Sequence, residues 1–124
     1  MPLYAIDHVQ LAIPPEEEER AREFYIQVLG LSEQPKPPNL AKRGGVWFQC
    51  GTLRAHLGAE HHFKPAQKAH PAFLVEGLPD VIERCKRAGY KVVTDEPLEG
   101  YDRVYVYDPF GNRIELMEPK ASPR

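Results

Sequence analysis

Ile6 to Ile13 alternates strictly, with Val9, Leu11 and Ile13 on one face and His8, Gln10 and Ala12 on the other. That period of two predicts a half-buried strand. Pro14-Pro15 stops it, and Glu16 to Leu29 reads as a helix whose buried face is Ala21, Phe24, Tyr25, Val28 and Leu29. The Glu16–Glu19 run suits the positive end of the helix dipole, and Gly30 suits a left-handed C-cap. Ser32 to Gly45 carries Pro35, Pro37 and Pro38, which predicts an edge strand and a loop. Val46 to Cys50 and Leu53 to Leu57 then read as two strands about a turn at Gly51.

A polar stretch, 59–68, reads as a linker, and the same order of elements follows it. Ala69 to Val75 predicts a strand, Pro79 to Ala88 a helix ended by Gly89, and Lys91 to Thr94 a short strand. Val104 to Tyr107 and Arg113 to Met117 form a hairpin about Asp108-Pro109-Phe110-Gly111-Asn112. The period is about 60 residues and each copy reads β-α-β-β-β. The expected fold class is therefore α+β: two βαβββ modules forming a cupped mixed sheet with helices on the outer face. Residues 1–124 are expected to make a single domain, with module one at about 4–58 and module two at about 69–118.

Aligning the copies places His8 opposite His70 and His56 opposite Glu115. All four are metal-ligand types on the polar faces of their strands. Imidazoles with a carboxylate suit a borderline divalent ion such as Zn²⁺, Fe²⁺, Ni²⁺, Mn²⁺ or Co²⁺. Four such ligands on an octahedral ion leave two positions for water or substrate oxygens. Arg54, Arg103 and Arg113 share that parity, either to bind an anionic substrate group or to neutralise Glu115. Trp47, Tyr105 and Tyr107 either line an aromatic wall or pack together. His61-His62 reads as solvated loop, and Cys50 and Cys85 as small core fillers without nucleophile signals.

Composition narrows the partners. The 124 residues carry 16 Lys and Arg against 18 Asp and Glu, a net charge of −2, with 42% hydrophobic residues. This is a globular balance with no basic stripe for nucleic acid or an anionic membrane. No apolar run is long enough to span a bilayer, no secretory signal is visible from Met1 onward, and two cysteines make no disulfide framework. A cytoplasmic location is expected. Neither a Gly-rich phosphate loop nor a nucleophile elbow is present.

Asp108-Pro109-Phe110-Gly111-Asn112-Arg113-Ile114-Glu115-Leu116 resembles the closing hairpin of the vicinal oxygen chelate superfamily, the glyoxalase/bleomycin-resistance/extradiol-dioxygenase family. Ile6-Asp7-His8-Val9 resembles its opening strand and Phe24-Tyr25…Leu29-Gly30-Leu31 its first helix end, so the likeness covers about residues 4 to 118. The resemblance implies a homodimer and a small-molecule substrate. It implies metal ligands at His8, His56, His70 and Glu115; the usual bacterial glyoxalase I pattern has Glu where His56 stands, which points away from that activity itself. Tyr105 matches a substrate-facing tyrosine of the fosfomycin thiol transferase branch. The expectation is a metal-dependent enzyme on a small oxygenated metabolite, a lyase, isomerase, thiol transferase or ring-cleaving dioxygenase, with lyase or isomerase chemistry first and dioxygenation second. Glu115, or His56 if substrate displaces it, is the expected general base, with Arg103 and Tyr105 orienting substrate. The competing expectation is a metal-free binding protein of the bleomycin-resistance type that stacks a flat ligand on Trp47, Tyr105 and Tyr107.

Overall fold

A computed structural model describes residues 2–121; Met1 and the last three residues of the expected 1–124 domain lie outside the described residues. The chain divides into two compact units, Met1–Lys64 and Pro65–Arg124.

In the first unit, β1 (Val9–Ile13) pairs in parallel with β4 (Leu53–Ala59), which is antiparallel to β3 (Val46–Cys50), and β2 (Ser32–Gln34) closes the edge. β1 begins three residues later than alternation predicts, because Ile6 is 82% exposed and has no strand to pair with. The first helix also starts late. Glu16 takes a positive φ of 66°, so α1 runs from Glu18 to Arg22 and continues as a π-helix over Glu23–Val28. Ala21, Phe24, Tyr25 and Val28 are buried with Ile13, Val46, Phe48, Ala55 and Leu57, which forms the expected apolar layer. Gly30 caps the helix at φ 83°, its N–H donating to the Ile26 carbonyl at 3.0 Å.

The proline-rich stretch holds a helical turn that alternation does not reveal, α2 (Pro38–Ala41). Beyond it, Gly45 N–H donates to Glu18 Oε2 at 2.7 Å. A Cβ on Gly45 would stand 2.2 Å from the Leu57 carbonyl oxygen, so only glycine lets the chain enter β3 here. Cys50 is exposed at the end of β3, which corrects its reading as core filler; Cys85 is buried as expected.

In the second unit, β5 (Ala72–Leu74) is parallel to β8 (Arg113–Pro119), which is antiparallel to β7 (Tyr101–Tyr107), with β6 (Val92–Val93) at the edge. β5 and β6 are shorter than predicted and β7 and β8 longer. Helix α3 (Leu78–Arg87) buries Leu78, Val81 and Cys85, while Val104, Val106, Ile114 and Leu116 are buried from the sheet. The α+β fold of two βαβββ modules is thus present, each module with a four-stranded mixed sheet.

Glu118, at the end of β8, accepts from the backbone N–H of Gly77 at 2.8 Å and of Leu78 at 3.0 Å, supplying the missing cap of α3. Those two N–H groups hold its carboxyl below the ordinary 4.5. A depressed carboxylate contributes stability above its unfolded pKa and loses it as pH falls through the folded one. Glu118→Gln is therefore expected to lower the urea midpoint at neutral pH, and the gap to wild type should close below about pH 4.5.

Candidate functional site

Register makes the two modules correspond residue by residue. On β4, His56 pairs with Gln10 of β1 and Trp47 of β3, and Trp47 pairs with Gln34 of β2. On β8, Glu115 pairs with Ala72 of β5 and Tyr105 of β7, and Tyr105 pairs with Val93 of β6. His8 stands two residues before Gln10, as His70 stands two before Ala72. The internal repeat is thus carried by hydrogen-bond register as well as by pattern.

The expected ligands fall into two pairs, one in each unit. In the second unit, His70 Nε2 lies 3.1 Å from Glu115 Oε1. His70 Nδ1–H donates to the Lys68 carbonyl at 2.9 Å, an oxygen that can only accept. The proton is thereby assigned to Nδ1, so Nε2 presents a lone pair towards a carboxylate oxygen unless a second proton or a cation stands between them. Arg103 Nη1 donates to the other Glu115 oxygen at 3.3 Å and to Tyr105 Oη at 3.0 Å, and its Nη2 donates to the Glu96 carbonyl at 2.7 Å. Tyr105 accepts from Arg103, and its own hydroxyl proton is directed to the Asp95 carboxylate. The Arg113 guanidinium lies 3.8 Å from the Tyr105 ring centroid and fixes that ring by cation–π contact. Tyr105 is 5% exposed and Glu115 7%, so this is a largely dry polar cluster.

In the first unit, three rings stack: His8 on His56 at 4.0 Å and His56 on Trp47 at 4.0 Å between centroids. Burial, and then the neighbouring His8, hold His56 below the ordinary imidazole value of 6.5, so at neutral pH it keeps a lone pair. His8 Nδ1–H donates to Asp7 Oδ2 at 2.9 Å, leaving Nε2 to face outward chemistry. That hydrogen bond, with Arg54 also reaching Asp7 at 3.0 Å, holds the Asp7 carboxyl below its usual range. His8 and His70 thus share the arrangement that orients metal-binding imidazoles: Nδ1 tied to an acceptor and Nε2 presented. Parallel rings 4.0 Å apart do not aim their in-plane lone pairs at one point, so His8 or His56 must turn before both can hold one ion. His8, half exposed and ahead of β1, is the side chain with room to do so. Among the described residues no group of three or more His, Cys, Asp or Glu is preassembled around a metal position.

A cavity of about 660 Å³ opens over the first unit's sheet, lined in part by His8, Trp47, His56, Arg54 and Lys36. Gln34 and Lys36 contribute to its wall; they were hidden in the proline-rich stretch, where Pro spacing masks the two-residue alternation of β2.

The turn that carries the resemblance is structural. Asp108 Oδ1 accepts from the N–H of Phe110 at 2.9 Å and of Asn112 at 2.8 Å, and Asn112 Nδ2 donates to Asp108 Oδ2 at 2.9 Å. These bonds aim β8, and with it Glu115.

Comparison with known proteins agrees with the fold. A glyoxalase family protein from Bacillus anthracis is 47% identical over 95% of this chain and 97% of its own, with a TM-score of 0.90. A glyoxalase/dioxygenase from Nostoc punctiforme has a TM-score of 0.78 at 21% identity, covering 97% of this chain and 94% of its own. The antibiotic binding protein TnmS3 from Streptomyces sp. CB03234 has a TM-score of 0.73 at 17% identity, covering 97% and 99%. These last two share the fold. No curated protein sequence matches the chain. Among the described residues, no helix is long and apolar enough to cross a membrane. The profile of one family covers residues 5–116, with the βαβββ repeat and the Asp108–Asn112 turn inside it, and this chain belongs to that family: the Glyoxalase/Bleomycin resistance protein/Dioxygenase superfamily.

Proposed function

We propose that this chain, acting as one two-module domain, is a divalent-metal-dependent enzyme on a small oxygenated metabolite. His70 and Glu115 are its anchoring ligands, and His8 and His56 complete the set that the family resemblance implies. The observation that carries this reading is the His70–Glu115 approach of 3.1 Å with His70 Nδ1 already committed to Lys68. Two electron-pair donors facing each other need a proton or a metal cation between them, and imidazole with carboxylate suits Zn²⁺, Fe²⁺, Ni²⁺, Mn²⁺ or Co²⁺ in that place. When bound, such an ion supplies Lewis-acid polarisation of substrate oxygens.

The chain's own groups do the rest. Arg103 pins one Glu115 oxygen, so the other stays turned towards His70 and can take a proton when substrate arrives. Tyr105, its oxygen held by Arg103, can turn its hydroxyl proton from the Asp95 carboxylate to a substrate oxygen. Lyase, isomerase or thiol-transfer chemistry uses these roles directly, and ring-cleaving dioxygenation is the second reading within the same class. A homodimer is part of the proposal.

Titration of metal-free protein with Co²⁺ tests it. Uptake of about one Co²⁺ per chain, read by competition with a chromogenic chelator and lost in His70→Ala, is expected for a nitrogen- and oxygen-ligated site. No uptake in wild type contradicts it.

One observation favours a different class. The His8–His56–Trp47 stack is an aromatic platform, and TnmS3, which shares the fold, is an antibiotic binding protein. On that reading the protein sequesters a flat ligand without metal, and His70→Ala leaves ligand binding unchanged.

A further inference from the structure

We infer that the cavity of the first unit selects a small organic dianion. The chain as a whole carries a net charge of −2, yet the permanent charges lining this cavity are Lys36, Arg43 and Arg54 against the single carboxylate of Asp7. Two positive charges are left over in a concave space, where low-dielectric walls focus the field. The cations are held in place from different elements. Lys36 Nζ donates to the Gly44 carbonyl, Arg54 donates to Asp7 at 3.0 Å, and Arg43 is exposed at the rim. The surplus of two positive charges over the one carboxylate matches the charge of a dianion.

The wall also carries a spare polar group. Gln34 Oε1 is buried with no hydrogen-bond partner among the described residues, at the end of the row Gln34–Trp47–His56–Gln10. An unmet buried acceptor is costly, and the amide of a glutamine turns easily about its last torsion. An occupant bearing an O–H or N–H donor relieves it. The corresponding row of the second unit, Val93–Tyr105–Glu115–Ala72, ends in apolar side chains, so this recognition belongs to the first module alone.

This deepens the proposed function by giving the charge of the substrate, and it rests on that reading only in calling the occupant a substrate. Trp47 is the only tryptophan in the chain and lines the cavity, so its fluorescence reports occupancy directly. Metal-free protein is titrated with malate and with tartrate, dianions that each carry a hydroxyl donor, at constant ionic strength, beside their neutral diamides. Saturable change with either dianion at millimolar concentration, at least tenfold weaker with its diamide, is expected. Arg54→Gln and Arg43→Gln are each expected to weaken the dianion response at least fivefold; Arg43 is exposed, so its variant keeps the fold even if Arg54→Gln does not. Equal responses to dianion and diamide, no saturable response to either dianion, or an Arg43→Gln protein that binds like wild type would overturn the inference. Because no metal is present, none of these results bears on metal uptake by His70 and Glu115, which the Co²⁺ titration reads separately.

Discussion

Glu115→Gln is expected to weaken divalent-metal binding by at least about 100-fold while the protein stays folded. Losing even an outer hydrogen-bond partner of a ligand costs about 10–100-fold in metal affinity, and Glu115 is proposed as a ligand itself. The amide keeps the size of the side chain and can still accept from Arg103, so the buried guanidinium is not stranded. What disappears is the charged oxygen 3.1 Å from His70 Nε2. Arg103→Gln, which frees Glu115 to rotate without removing it, should fall in the 10–100-fold range. Competition of each variant against a chromogenic chelator gives the Kd values. Equal affinity in wild type and Glu115→Gln would remove Glu115 from the ligand set.

Asp108→Ala is expected to destabilise the protein by about 3 kcal/mol or more, the largest effect on stability of any single change considered. Asp108 is 4% exposed and accepts three hydrogen bonds: from Phe110 N–H, Asn112 N–H and Asn112 Nδ2. Each buried donor left without an acceptor costs about 1–3 kcal/mol, and Asn112 is itself 6% exposed. Asp108→Asn keeps one acceptor oxygen and should lose about half as much. Urea unfolding of the two variants checks the order. If Asp108→Ala unfolds at the wild-type midpoint, the turn does not depend on this carboxylate.

Alternation along the chain was enough to find β3, the β7–β8 hairpin and the shared parity of His8, His56, His70 and Glu115. A period of two shows which residues share a face whether or not a strand's ends are known. It also located the caps, since Gly30 and Gly89 take φ of 83° and 88°. It overran where side chains alternate but backbone has no partner, as at Ile6 to His8. It missed α2, because one helical turn among prolines is too short to show a period. Residue type alone places Cys50 inside, whereas its place at the hairpin end leaves it exposed.

The site was legible as residue types and not as contacts. Sequence showed that His70 and Glu115 stand at repeat-equivalent positions to His8 and His56. It did not show that Lys68 holds the His70 ring, that Arg103 divides its donors between Glu115 and Tyr105, or that His8 and His56 stack in turn on Trp47. The Arg103–Glu115 bond and the ring stack depend on register between strands, and the His70–Lys68 and Arg103–Tyr105 bonds on side-chain and loop conformation that residue types do not reveal. Glu118 is similar: nothing in its local sequence marks it as the cap of a helix that begins at Leu78.

Elemental analysis tests the central claim most directly. The protein is purified without a polyhistidine tag or chelator, and then reloaded with each candidate ion. About one divalent ion per chain, lost in a His8→Ala/Glu115→Ala variant, is the predicted result. No retained metal after every reload would contradict it and leave the cavity of the first unit as a binding site without metal chemistry.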